Sequence, residues 1–81
     1  MMQLLLHTSL NIAGHNVRYK LYFDPRERKY FFKPEEVTLR YPSFFVWKRQ
    51  AQWQFEPLSD EGLRQQALDA LKEVSLDKAT Q

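Results

Sequence analysis

The chain has 81 residues, of which 43% are hydrophobic, and its formal net charge is +2. A chain of this length forms one small core and leaves little apolar material for a large enclosed substrate cavity, which argues against an independent enzyme. It contains no cysteine, so disulfides and zinc–thiolate sites are excluded.

The sequence shows no export or membrane segment. The first basic residue is Arg18, and the apolar run Leu4–Leu6 ends at His7, which does not fit a signal peptide. No stretch approaches the ~20 apolar residues of a spanning helix. We therefore expect a cytoplasmic protein that does not bind membranes.

Charge is distributed unevenly along the chain. Residues 16–50 carry nine Lys or Arg and four acids, whereas residues 51–81 carry three basic and six acidic residues. Two interpretations stay open: an acidic partner for the middle of the chain, or an acidic helix face that lies near a basic sheet rim.

The first half of the chain predicts three strands. Residues 2–12 alternate partly apolar faces, and a turn is expected at 13–16 because Gly14 and Asn16 tolerate positive φ. Residues 17–23 show the clearest period-two alternation. A polar turn at 24–28 starts with Asp24 and Pro25, and a short return strand over 29–33 ends at Pro34.

The second half is less regular. Residues 34–43 lie between two prolines and fit either a short edge strand or an ordered loop. Residues 44–49 and 53–56 fit two paired strands or one long bent strand, because the connection near 50–52 lacks Gly and Asn.

Residues 59–74 predict a helix. Ser59 is the expected N-cap, Asp60 and Glu61 place negative charge in the first turn, and Leu58 with Leu63 has the spacing of a hydrophobic staple. One apolar stripe runs along the helix. The stripe consists of Leu63, Ala67, Ala70, Leu71 and Val74.

These elements predict one α+β domain over residues 1–74, followed by a polar, frayed tail over 75–81. Its architecture is two-layer: an antiparallel β-meander of about five short strands, with the C-terminal amphipathic helix packed on one face. The expected aromatic core residues are Tyr19, Phe23, Trp47 and Phe55.

No catalytic or metal-binding pattern is evident. His7 and His15 are too few for a metal site, and the neighbouring carboxylates Glu35 and Glu36 would point to opposite faces of a strand. Ser9 with either histidine lacks a nucleophile motif. We expect no enzyme activity, no cofactor and no small-molecule substrate.

The unusual feature is the aromatic content, 12 residues of 81. If the apolar side of strand 17–23 faces the helix, the opposite side of the sheet is basic with interleaved aromatic rings. The candidate binding residues on that side are Arg18, Lys20, Tyr22, Lys29, Phe31 and Lys33. Such a face suits another protein or a homodimer; the alternative is single-stranded nucleic acid. It also fits a purely structural surface in which Lys and Arg stems cover the rings.

Overall fold

A computed structural model describes residues 2–36, 40–56 and 60–79, and their side chains up to residue 74. Five strands precede one helix. The elements are β1 (Gln3–Ile12), β2 (His15–Asp24), β3 (Lys29–Pro34), β4 (Phe44–Arg49), β5 (Gln52–Glu56) and α1 (Glu61–Ala79).

The strands form one antiparallel sheet in the order β1-β2-β3-β4-β5, and α1 packs on one face of it. Each strand pairs with its neighbour in sequence, as expected for a chain in which short turns separate the strands. The predicted α+β architecture is therefore confirmed.

The first turn is tighter than the sequence predicts. Ala13 and Gly14 both have positive φ, 53° and 82°, and form a two-residue connection of the primed type. The Asn11 side chain accepts a hydrogen bond from the Gly14 N–H at 3.1 Å. The prediction of a turn over 13–16 was wrong at its end, because His15 and Asn16 continue the ladder opposite Ile12 and Asn11.

The second turn follows its predicted chemistry. The Asp24 carboxylate accepts hydrogen bonds from the N–H groups of Arg26 and Glu27, and the Asp24 carbonyl accepts one from the Arg28 N–H. β3 extends one residue beyond the prediction, to Pro34, which lies opposite Tyr19. Pro34 has no N–H to donate to the sheet, but its ring is buried, and this packing offsets the missing hydrogen bond.

β4 and β5 form a hairpin, not one bent strand. Gln50 and Ala51 connect them with φ of 52° and 67°. Neither residue is Gly or Asn, so the turn places two ordinary side chains in the left-handed region. In the ambiguous segment 34–43, residues 35–36 and 40–43 are not in a strand, and residues 37–39 lie outside the described residues.

α1 is capped by Asp60, whose carboxylate accepts a hydrogen bond from the Leu63 N–H at 3.1 Å. The predicted cap Ser59 and staple residue Leu58 lie outside the described residues. The helix was predicted to end at 74 but continues to Ala79, because residues 75–79 contain no Gly or Pro that would stop it. The first five residues of the predicted tail are thus helical.

The core lies between α1 and the covered face of the sheet. All five residues of the predicted helix stripe are buried, together with Tyr19, Phe32 and Phe44. The Tyr19 hydroxyl donates a hydrogen bond to the Pro42 carbonyl at 2.8 Å. Burial, with a smaller contribution from Tyr41, raises the pKa of Tyr19 to about 12, so this donor keeps its proton near neutral pH.

The expected aromatic core is only partly confirmed. Tyr19 is fully buried, whereas Phe55 is partly buried and packs against the edge of the core. Phe23 is half-buried and its ring lies 5.1 Å from that of Tyr30. Trp47 was wrongly assigned to the core, because its strand position faces away from α1.

Among the described residues, no helix combines the length and apolarity needed to cross a bilayer.

The β4–β5 turn yields a stability prediction. Replacing Ala51→Gly removes the steric cost of a Cβ at φ 67° and should raise the free energy of unfolding by about 1 kcal/mol. Urea unfolding measures the change. The same substitution at Ala70, inside the helix and buried, should lower stability by about 1 kcal/mol or more. A fall in stability with Ala51→Gly would contradict the turn geometry.

Candidate functional site

The two faces of the sheet differ chemically, as the alternating side chains of β2 show. Val17, Tyr19 and Leu21 are buried beneath α1. Arg18, Lys20 and Tyr22 alternate with them and therefore project from the opposite side, which none of the described elements covers. We call this uncovered side the open face.

The strand register places all six predicted site residues on the open face. Tyr22 lies opposite Phe31, and Lys20 lies opposite Lys33. Lys29 lies opposite Asp24, two positions from Phe31 on the same side of β3. The side of the sheet predicted for these residues is therefore the side on which they lie.

Three aromatic rings form a ladder across the open face. The ring centroids of Tyr22 and Phe31 are 6.3 Å apart, and those of Phe31 and Phe45 are 4.7 Å apart in a stacked arrangement. All three side chains are of intermediate burial, although Tyr19, Phe32 and Phe44 on the other face are fully buried. We call these three residues, Tyr22, Phe31 and Phe45, the aromatic ladder. The contacts between neighbouring rings partly shield them from water.

Trp47 extends the aromatic surface beyond the ladder. It shares the open side of β4 with Phe45, and the Lys29 ammonium lies 4.5 Å from the centre of its ring. This cation–π contact holds Lys29 against the sheet. Sequence analysis missed Phe45 and Trp47 as members of this face, although their alternation with Phe44 and Val46 was visible; the missing information was the register of β4 against β3.

Lys20 and Lys33 form an unfavourable cross-strand pair. Their Cα atoms are register partners, and like charges placed directly opposite each other destabilise a sheet. Within the described part of the chain, neither ammonium has a carboxylate within the 4.0 Å of an ion pair. Two cations therefore lie side by side next to the aromatic ladder without a direct ion pair, although Lys20 is close enough to Glu35 to contribute to the lowering of the pKa of Glu35.

Glu35 is the acidic group nearest this part of the face. Its carboxylate accepts a hydrogen bond from the His7 Nδ1 at 2.8 Å and lies 3.9 Å from the Arg18 Nε. The His7 hydrogen bond, and next the positive charge of Arg18, lower the pKa of Glu35 below its ordinary value. The Glu35 N–H also donates to the Arg18 carbonyl, which holds the backbone of Glu35, just after the end of β3, beside Arg18 of β2. Sequence analysis considered Glu35 only together with its neighbour Glu36 and missed its contacts with His7 and Arg18.

The structure shows where His7 and Ser9, considered above for metal binding and catalysis, lie. His7 and Glu35 form an exposed pair, but no hydrogen bond joins Ser9 to His7 within the described part of the chain. No group of three His, Asp or Glu residues able to hold a metal ion occurs among the residues searched. The open face offers aromatic rings and cations to a binding partner.

A recess lies on the opposite side of the sheet, against α1. Its volume is about 290 Å³, and its apolar walls come from Tyr30, Trp53, Leu68 and Leu71 at the flank of α1. It lacks the run of cations that accompanies the aromatic ladder, with Lys72 its one lysine. The open face is therefore the more distinctive candidate site.

The Lys20–Lys33 pair predicts that the site is not optimised for stability. Lys33→Glu places opposite charges across the two strands and should raise the free energy of unfolding by about 0.5 kcal/mol at low salt, and by less at high salt. Thermal or urea unfolding at two salt concentrations measures it. Lys48→Glu is the matched control, because Lys48 lies near Trp53 on the other side of the sheet. Equal shifts for both variants would contradict the proposed repulsion.

Comparisons with protein-family models, with curated proteins and with solved structures find no match, so the functional argument depends on the residues themselves.

Proposed function

We propose that this protein is a non-enzymatic interaction module whose open face binds an acidic, apolar segment of another protein. The observation that carries the proposal is the aromatic ladder, which lies uncovered beside the Lys20–Lys33 pair. Aromatic residues and arginine are enriched where proteins bind each other. A cytoplasmic location belongs to the same proposal.

Burial of the ladder would supply most of the binding energy. Each ring is already held by its neighbour, so little side-chain entropy is lost when a partner covers it. Apolar area removed from water contributes about 25 cal/mol per Å² before the costs of association. Tyr22 and Phe31, at the centre of the face, are the expected hot spots.

The cations select the partner. Arg18, Lys20 and Lys33 lie along one side of the ladder, and Lys29 lies on the other, opposite Asp24. Glu56 lies opposite Phe45 on this face, so the positive charge is concentrated at the Arg18, Lys20 and Lys33 side. Positive groups around an apolar centre speed association with acidic surfaces and disfavour basic ones. A second copy of this chain would present the same cations to the open face, so the charge pattern favours a different protein over face-to-face self-association.

Single-stranded nucleic acid is the second candidate, and the Lys20–Lys33 pair is the observation that favours it. In that function Tyr22 and Phe31 would stack on bases while Arg18, Lys20, Lys29 and Lys33 neutralise phosphates. Two contacts weigh against it. Phe31 is stacked on Phe45, and Lys29 covers one face of Trp47, which leaves less ring surface for bases.

Selection from a displayed random-peptide library tests the proposal. We expect the intact protein to enrich peptides that combine Asp or Glu with Leu or aromatic residues. The single substitutions Tyr22→Ala and Phe31→Ala should each weaken the binding of the selected peptides about tenfold, or ~1.4 kcal/mol. Calorimetry measures the change. Lys33→Glu should weaken peptide binding without lowering the stability of the protein. Lys48→Glu should leave peptide binding unchanged, because Lys48 lies on the other side of the sheet.

A measurement of oligonucleotide binding separates the two candidate functions. A fluorescent dT oligonucleotide that binds with an affinity falling steeply as salt rises would support the nucleic-acid function. Peptides that bind equally well to Phe31→Ala, Lys33→Glu and the intact protein would overturn the proposed protein-binding face. Calorimetric or circular dichroism melting of each variant shows whether a loss of binding reflects a loss of fold.

A further inference from the structure

The aromatic ladder lies on interior strands, whose backbone groups are already paired. Its residues belong to β2, β3 and β4, and each of these strands has a hydrogen-bonded neighbour on both sides. An extended segment gains backbone hydrogen bonds when it adds to the edge of a sheet, and the edges of this sheet are β1 and β5. An extended partner laid on the ladder would therefore take its own N–H and C=O groups out of water without replacing their hydrogen bonds.

An α-helix avoids this cost, because its backbone hydrogen bonds are internal. The ladder also has the width of a helix. Its rings come from three adjacent strands, and strands lie about 4.8 Å apart, so the row is about 10 Å wide. An α-helix with its side chains is about 10–12 Å across. A helix packed on a sheet is a stable arrangement that α1 already adopts on the other side.

The apolar surface continues from the ladder to β1. Leu4 is the register partner of Tyr22, and register partners of an antiparallel pair point to the same side of the sheet. Leu4 therefore lies on the open face beside the ladder, and it is 49% exposed. A helix over the ladder would contact Leu4 along its flank and remove this apolar side chain from water.

Charge determines where the acidic residues of such a helix lie. Lys20 and Lys33 are register partners, two strand positions from the ladder. On the other side of the ladder Asp24 lies opposite Lys29, and Glu56 adds a negative charge at the β5 end of the row. A carboxylate of the partner is therefore attracted to the Lys20–Lys33 pair, where it also offsets the repulsion between the two ammonium groups.

The spacing along the strands predicts the spacing within the helix. Two residues of a β-strand advance about 6.6 Å, and four residues of an α-helix advance about 6 Å. Side chains four positions apart share one face of a helix. A helix that runs along β3 with an apolar side chain on Phe31 therefore brings the side chain four positions away to Lys33.

We propose that the partner segment binds the open face as an amphipathic α-helix that lies along β2–β4. Its apolar stripe covers the aromatic ladder, and an Asp or Glu one turn away lies at the Lys20–Lys33 pair. This inference rests on the proposed function and adds the conformation of the bound segment and the position of its acid. Because a short helix is marginal in water, helix formation accompanies binding.

Three short synthetic peptides of identical composition test the proposal. The first carries Leu at helical spacing, with Glu four residues from a Leu on the same face. The second moves Glu to the opposite face of the helix, and the third alternates Leu with polar residues as in a strand. Fluorescence anisotropy measures affinity, and circular dichroism measures helix content on binding.

We expect the first peptide to bind about tenfold more tightly than the third and about fivefold more tightly than the second, with a gain in helical signal. Lys33→Glu should remove the preference for the first peptide over the second. Lys48→Glu, on the other side of the sheet, should retain this preference. Melting of both variants shows that the fold is intact.

The outcomes separate this inference from the proposed function. Tightest binding by the alternating peptide would overturn the helical conformation and leave a protein-binding face in place. The same conclusion would follow if the first peptide, or a peptide enriched from the displayed library, bound without a gain in helical signal. Failure of all three peptides to bind, with no enrichment from the library, would overturn the proposed function itself and the helical partner with it.

Discussion

The structure depends on one constraint: a single helix covers one side of a five-stranded sheet. Because side chains alternate along a strand, each strand sends half of its residues to the side without a helix. β2 makes the consequence clear, since Tyr19 and Leu21 are fully buried while Lys20 and Tyr22 between and beyond them are only partly covered. The aromatic content of the chain exceeds what the covered core uses, and the excess lies on the open face.

Some contacts on the open face stabilise the sheet, and one pair of residues destabilises it. Phe31 and Phe45 stack, and Lys29 lies over Trp47, so the rings shield one another and are partly covered by a lysine stem. The Lys20–Lys33 pair works in the opposite direction, because it places like charges across two strands. Natural proteins keep such locally unfavourable arrangements mostly where function requires them, which is why this pair has weight in the functional argument.

The same alternation places Arg18, Lys20 and Lys33 on the side of the sheet opposite α1, beside the aromatic ladder. This distribution of positive charge is the reason that we propose an acidic partner for the open face.

Local patterns predicted the elements well where one physical signal dominates. The alternation of side chains predicted which residues of β2 are buried, and Asp24 predicted the turn that follows it. The apolar stripe from Leu63 to Val74 predicted the buried side of α1. Prediction failed where the outcome depends on residues distant in sequence. Trp47 was placed in the core because its register against β3 was unknown, and Glu35 was missed because its partner His7 lies 28 residues away. The Gln50–Ala51 turn violates the usual turn chemistry and could not be read from residue type.

Everything proposed for the open face requires Tyr22 and Phe31 to face solvent on the side of the sheet opposite α1. NMR with a soluble paramagnetic gadolinium chelate measures this directly, because ring protons near solvent relax faster. We expect strong effects on Tyr22, Phe31 and Phe45 and weak effects on Tyr19, Phe32 and Phe44, which are fully buried. Protection of Tyr22 and Phe31 equal to that of Phe32 would contradict this arrangement, because no accessible aromatic ladder would then exist.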